Sequence, residues 1–257
     1  MTAFLYGMVA AFLLGQSVIG IAKAEQGTDQ APDVVVLCDP SLHETLVAAG
    51  RAWQAKSRVP VRVLTASLEQ NAQLIVHGAR ADILVGVAAQ RIDEVQTLGA
   101  IDHGSPTVIG HDPVVLVVRG SVAERRQLAP GEDIGSLLGD GRVGLVDPAF
   151  GSAGPDARTS LAAIGLWPGL EPRSLGAETT DGLKQLLNAG SVRLVAFYNT
   201  DLAGQSGLSV AATFPTPAPP VAAALTKDVQ SPNAKDFLAF LAGEGQSVLN
   251  QNGMEAP

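Results

Sequence analysis

Two hydroxyls stand where a strand gives way to a helix. Ser41 follows the apolar run Val34–Leu37 and the strand-stopping Pro40, with Glu44 three residues on. Ser-x-x-Glu is the capping-box spacing, which gathers a hydroxyl and the first free backbone N–H groups of a helix at one point. At the carboxyl end of a buried strand, such a point is where open α/β folds bind ligands, and a helix N-terminus there attracts an anion. Helix capping alone would also account for Ser41. Ser67 repeats the arrangement between Val59–Leu64 and a helical stretch that ends at His77-Gly78. The chemistry on offer is anion capture by neutral donors.

Bond-making chemistry has no comparable signal. The chain holds no G-x-G-x-x-G, P-loop, G-x-S-x-G, H-E-x-x-H or C-x-x-C pattern. Its four histidines, His43, His77, His103 and His111, lack metal-ligand spacing. Asp147, Asp156 and Asp181 fall near turns and helix starts, where capping is the usual reason for an aspartate. An enzyme would need an acid–base pair drawn from distant segments, Asp39 with His43 or Asp201 first. No catalytic residue, direct metal ligand or cofactor is expected. Cys38, the single cysteine, rules out an internal disulfide and reads as a small buried residue ending the first strand.

The elements that must position these groups follow from periodicity. Val34–Leu37 is apolar throughout, the mark of a strand buried on both faces. Leu42, Leu46, Ala49 and Trp53 give the next helix, to about Lys56, a buried face. Val59–Leu64 alternates as a half-buried strand, Asp82–Val87 is a third strand, and Gln90–Leu98 a short helix closed by Gly99. Pro113–Val118 opens a second unit after a crossover at His111-Asp112-Pro113. That unit continues with a strand Arg142–Val146, a loop Ala149–Pro155, a helix through Leu166, a helix Asp181–Ala189, and strands Val192–Phe197 and Ser209–Thr213. Phe214–Pro220 is a proline-rich surface loop. Val221–Leu225 returns as a strand, and Pro232–Asn250 reads as one amphipathic helix. The pattern is α/β with two lobes, residues 33–111 with 216–257 and residues 112–215, joined by two crossings around a cleft.

Composition agrees with an exported globular protein. Of 257 residues 46% are apolar and 16% charged, and the net charge is −8. No basic stripe is present, which argues against nucleic acid as a partner. Residues 1–24 are apolar and end in Ala22-Lys23-Ala24, a secretory signal pattern with cleavage before Glu25. The same run is long enough to remain as an anchor. A polar, mobile segment, Glu25–Pro32, would then lead the mature chain.

Several segments in order resemble one family. They are Gly78-Ala79-Arg80-Ala81-Asp82 with the strand after it, Leu98-Gly99-Ala100-Ile101, Val146-Asp147-Pro148 with Ala153-Gly154, Gly182–Ala189, Tyr198-Asn199-Thr200-Asp201, and Ser231–Met254. Together they resemble the molybdate-binding proteins of ABC importers, within the type II periplasmic solute-binding proteins, over about Val34 to Met254. The resemblance implies a two-lobed fold, each lobe a mostly parallel sheet flanked by helices, and a tetrahedral oxyanion held without charged side chains. By position it implies ligand contacts at Ser41, Ala153, Thr180 and Tyr198. The second family serine falls at Ser67 or at Leu68. Asp39 stands where the family has small residues. It either faces the pocket and repels an anion or merely finishes the turn.

The expected function is therefore extracytoplasmic capture of a small oxyanion, molybdate or tungstate foremost, and its delivery to a membrane ABC permease. The expected protein is a periplasmic monomer, because closing lobes and a transporter both need free surfaces. The alternatives are a binder of another small ligand, such as an organic anion or a metal chelate read through Asp39, or an enzyme on the same fold.

Overall fold

The computed structural model describes residues 33–257 apart from 88. The signal segment at 1–24 and the polar stretch at 25–32 lie outside the described residues. Val34–Cys38 (β1) is buried at every position, so a continuous apolar run forms an inner strand. A single 3-10 turn, Pro40–Leu42, leads to α1 (His43–Ser57). There follow β2 (Val61–Thr65), α2 (Leu68–Val76), β3 (Ile83–Val87), α3 (Ala89–Thr97) and β4 (Thr107–His111).

The second half comprises β5 (Val114–Arg119), β6 (Arg126–Gln127), α4 (Gly135–Leu138), β7 (Val143–Val146), α5 (Ala153–Ala163), α6 (Trp167–Leu170), β8 (Ser174–Ala177), α7 (Thr180–Asn188), β9 (Leu194–Tyr198) and β10 (Leu208–Thr213). The chain then returns as β11 (Pro220–Leu225), α8 (Ala234–Ala242) and α9 (Gln246–Gln251). One sheet has the order β2-β1-β3-β11-β4 and the other β6-β10-β5-β9-β7-β8. The βα turns pair their strands in parallel, β1 with β2 and β3, and β7 with β8 and β9. The strands at the crossings, β4, β5, β10 and β11, run antiparallel to their neighbours except where β10 pairs β6. The chain passes between sheets at Asp112-Pro113 and again over 214–219.

The sequence reading needs four corrections of detail. The strand read at Val59–Leu64 begins two residues later and lies at the sheet edge, with Leu64 exposed. β4 and β8 were not legible, being short and partly exposed. The helix after Ala149–Pro155 begins inside that loop, at Ala153, because Pro155 falls in the first turn, where its missing N–H has no intrahelical acceptor. The single helix read over Pro232–Asn250 is two, broken at Gly243-Glu244-Gly245. Gly245 sits so close to Phe240 that a Cβ would lie 2.8 Å from its carbonyl oxygen.

Buried carboxylates brace each half from within. Asp82 is fully buried and accepts from the backbone N–H groups of Val35, Gln230 and Ser231, each at 2.8 Å, fixing the approach to α8 against β1 and β3. Asp112, on the first crossing, accepts from the Thr200 backbone N–H at 3.2 Å and from its hydroxyl. Asn199 Nδ2 donates to the Gly253 carbonyl at 2.8 Å, and Thr45 Oγ1 to that of Asn252 at 2.9 Å. The turn after β9 is thereby bound to both a crossing and the chain's closing segment.

Candidate functional site

Four strand-to-helix turns converge on one cleft of about 350 Å³. β1 and β2 bring the turns into α1 and α2; β7 and β8 bring those into α5 and α7. The turn after β9, Tyr198–Asp201, forms part of the wall. Each helix start presents backbone N–H groups that have no intrahelical partner. Of the residues read from sequence, Ser41, Ser67, Ala153, Thr180 and Tyr198 all line this cleft, as do Asp39 and Leu68.

Ser41 does not cap α1. It lies inside the 3-10 turn, α1 starts two residues later, and Glu44 is paired with His43 at 3.0 Å instead of closing a capping box. The Ser41 hydroxyl is buried and has no hydrogen-bond partner among the described residues. The capping box belongs to Ser67, whose hydroxyl accepts from Gln70 N at 3.3 Å while the Gln70 side chain accepts from Ser67 N. The following Leu68 is 1% exposed and turned into a small apolar cluster with Leu84, Ile92 and Ile101, so of Ser67 and Leu68 it is Ser67 that brings a hydroxyl to this turn.

Ala153 is the first residue of α5, and the next, Gly154, has no room for a side chain: a Cβ would lie 1.8 Å from the Val146 carbonyl oxygen. With Pro155 third, α5 offers the N–H groups of Ala153 and Gly154 at its start. Thr180 opens α7, which is capped by the Thr179 hydroxyl accepting from Gly182 N at 3.0 Å. Tyr198, 1% exposed, donates its hydroxyl to Asp156. Burial first, then the Asp156 charge, pushes the phenol well above its ordinary range, so it stays a donor.

The acids around the cleft are set by burial. Asp39 faces the cleft wall beside Ser41 and also accepts from Val87 N at 2.9 Å. Burial pushes its carboxyl up to about 6, against the pull of the Val87 N–H. Asp201 is raised to about 7, again by burial, although the Lys184 charge opposes this, and its Oδ2 has no hydrogen-bond partner. Neither forms an acid–base pair with His43, which is bonded to Glu44. Arg91 from α3 lies across the cleft, 3.8 Å from Asp156 at the start of α5. Sequence reading missed Arg91 and took Asp156 for a helix-start residue. Nothing in the spacing of two residues on distant helices, α3 and α5, announces their contact.

Among the described residues no helix is long and apolar enough to cross a membrane. Residues 34–255 match a family model described as bacterial extracellular solute-binding protein. The molybdate-binding protein ModA of Escherichia coli is 28% identical over 209 residues, covering 81% of this chain and 79% of that protein. The periplasmic molybdate-binding protein of Azotobacter vinelandii superposes with a TM-score of 0.72 at 16% identity, over 88% of this chain and all of that one. The substrate-binding domain of a molybdenum ABC transporter from Clostridium difficile gives 0.69 at 16%, with the same coverage. The two structures share the fold of this chain.

Proposed function

The chain belongs to the bacterial extracellular solute-binding proteins, and from that premise we propose that it captures a small tetrahedral oxyanion, molybdate or tungstate foremost, and hands it to a membrane ABC permease. The observation that carries this reading is the buried, unpartnered Ser41 hydroxyl at the meeting point of four helix starts. An oxyanion there replaces its hydration shell with hydroxyl and backbone donors, and such charge-assisted bonds are the strong ones. Ser41 and Ser67 act from one half, Ala153, Thr180 and Tyr198 from the other. The likeness to molybdate-binding proteins supports the same ligand.

Residues 33–111 with 216–257 and residues 112–215 act as two lobes hinged at the crossings. A cleft of about 350 Å³ holds on the order of ten waters at ~30 Å³ each, so a five-atom anion fills it only after the lobes close. Asp39 and Leu68 tune selectivity: Asp39 adds negative charge beside Ser41, and Leu68, packed among Leu84, Ile92 and Ile101, leaves the Ser67 hydroxyl as the donor at this turn. The protein works as an exported periplasmic monomer that binds without transforming its ligand, uses no cofactor, and has no nucleic-acid partner.

The volume of the cleft also favours a second reading, a larger organic anion. A thermal-shift screen separates the two, using protein purified after expression of the full chain. A ligand at a hundredfold excess over its Kd stabilises the fold by about 2.7 kcal/mol. A shift with molybdate and tungstate, absent with sulfate and phosphate, establishes the oxyanion reading. A shift with carboxylate or phosphonate compounds alone replaces it.

A further inference from the structure

Arg91 and Asp156 come from opposite halves of the cleft, and the link between them gives the site a charge the family resemblance does not supply. The Arg91 guanidinium lies 3.8 Å from Asp156 Oδ1. That is an ion pair but too long for a hydrogen bond. The Arg91 guanidinium makes no hydrogen bond with any described residue, although it carries five N–H donors in a fixed fork suited to an oxyanion. The other oxygen of Asp156 accepts the Tyr198 hydroxyl. On its second side Arg91 acts on the Asp39 carboxyl. Arg91 therefore stands in the cleft under the influence of two carboxylates, and the phenol that should meet a ligand is engaged by one of them.

We propose that Asp156 is a built-in counter-anion, holding the place between Arg91 and Tyr198 that an oxygen of the bound oxyanion takes over, and that Arg91 thereby contacts the ligand. The inference rests on the oxyanion reading and deepens it. A carboxylate oxygen that accepts a phenol proton and pairs with a guanidinium does what a ligand oxygen would do. Two anions cannot share those donors without strong repulsion in a partly buried site. On binding, the ligand takes the two donors and Asp156 swings toward solvent, its side chain being already about a quarter exposed. It remains in the first turn of α5, where a carboxylate is favourable. The arrangement keeps the empty cleft from presenting a bare cation and selects an anion despite the acidic residues around it.

The test is calorimetric titration of sodium molybdate into the wild type and four variants, with unliganded melting temperatures measured alongside. Arg91→Gln should weaken binding by about tenfold or more, the worth of one charge-assisted hydrogen bond, and Arg91→Lys should recover part of the loss. Asp156→Asn should tighten binding by a similar factor. Asp181→Asn, which removes another cleft carboxylate that touches neither Arg91 nor Tyr198, should change affinity far less. Unchanged binding in Arg91→Gln, or no tightening in Asp156→Asn, overturns the proposal while wild-type binding leaves the oxyanion reading standing. Equal tightening in Asp156→Asn and Asp181→Asn also overturns it, since it would show a general charge effect. Absence of molybdate binding in the wild type and in every variant overturns both.

Discussion

A buried hydroxyl without a partner costs roughly 1–3 kcal/mol, and Ser41 carries that cost in the unliganded protein. Its removal should therefore separate stability from binding. In Ser41→Ala the unliganded melting temperature should hold or rise, because no hydrogen bond is lost, while affinity for molybdate falls by about tenfold or more. Thermal melting and titration on the same preparation check this, and a variant that loses stability instead marks Ser41 as structural. Ser41 was legible in the sequence as a hydroxyl at the end of a buried strand, but its role was misread, because spacing alone cannot show whether α1 begins at residue 42 or 43. The true capping box at Ser67 lacks the expected glutamate, having Gln70 as its third residue. Arg91 and Asp156 were illegible as a pair, since each looks like an ordinary solvated charge until the two sheets face each other.

The elements were legible where burial is two-sided and obscure where it is not. β1, β3 and β9 are buried throughout and read directly as apolar runs. β8 at one sheet edge and β4 at another carry mixed, half-exposed residues, and tertiary pairing rather than local pattern makes them strands. The placement of α5 shows how an element fixes the site. Its second residue packs against the end of β7 so closely that the backbone of Gly154 nearly touches the Val146 carbonyl. A methyl at 1.8 Å from that oxygen has to push the helix start away. Gly154→Ala should thus move the Ala153 N–H out of the cleft, lowering affinity sharply. It should also destabilise the fold by about 1–3 kcal/mol, the usual range for overpacking. Denaturant melts and molybdate titration measure both, and a variant of wild-type affinity would remove Ala153 from the site.

At the scale of the whole molecule, the buried acids make stability depend on pH in an unusual direction. Asp39 is raised to about 6 and Asp201 to about 7, and Asp112 is also raised, each chiefly by burial. An unfolded aspartate titrates near the ordinary 3.8. Between that value and the folded one, the native state binds more protons than the unfolded state, so stability falls as pH rises. The contribution is fully present below about pH 4 and is lost for Asp39 by about 6 and for Asp201 by about 7. Each group contributes a slope of at most about 1.4 kcal/mol per pH unit within its own window. Melting temperature of the unliganded protein should therefore decline from pH 5 to pH 8, and Asp201→Asn should flatten the upper part of that decline. A dianion bound in the cleft opposes ionisation of Asp39 and Asp201, which line it, so affinity for an oxyanion should decline over the same range. Melting curves and titrations across this range test both statements, and a melting temperature that climbs toward pH 8 would mean that the cleft acids are ionised and compensated in the native state.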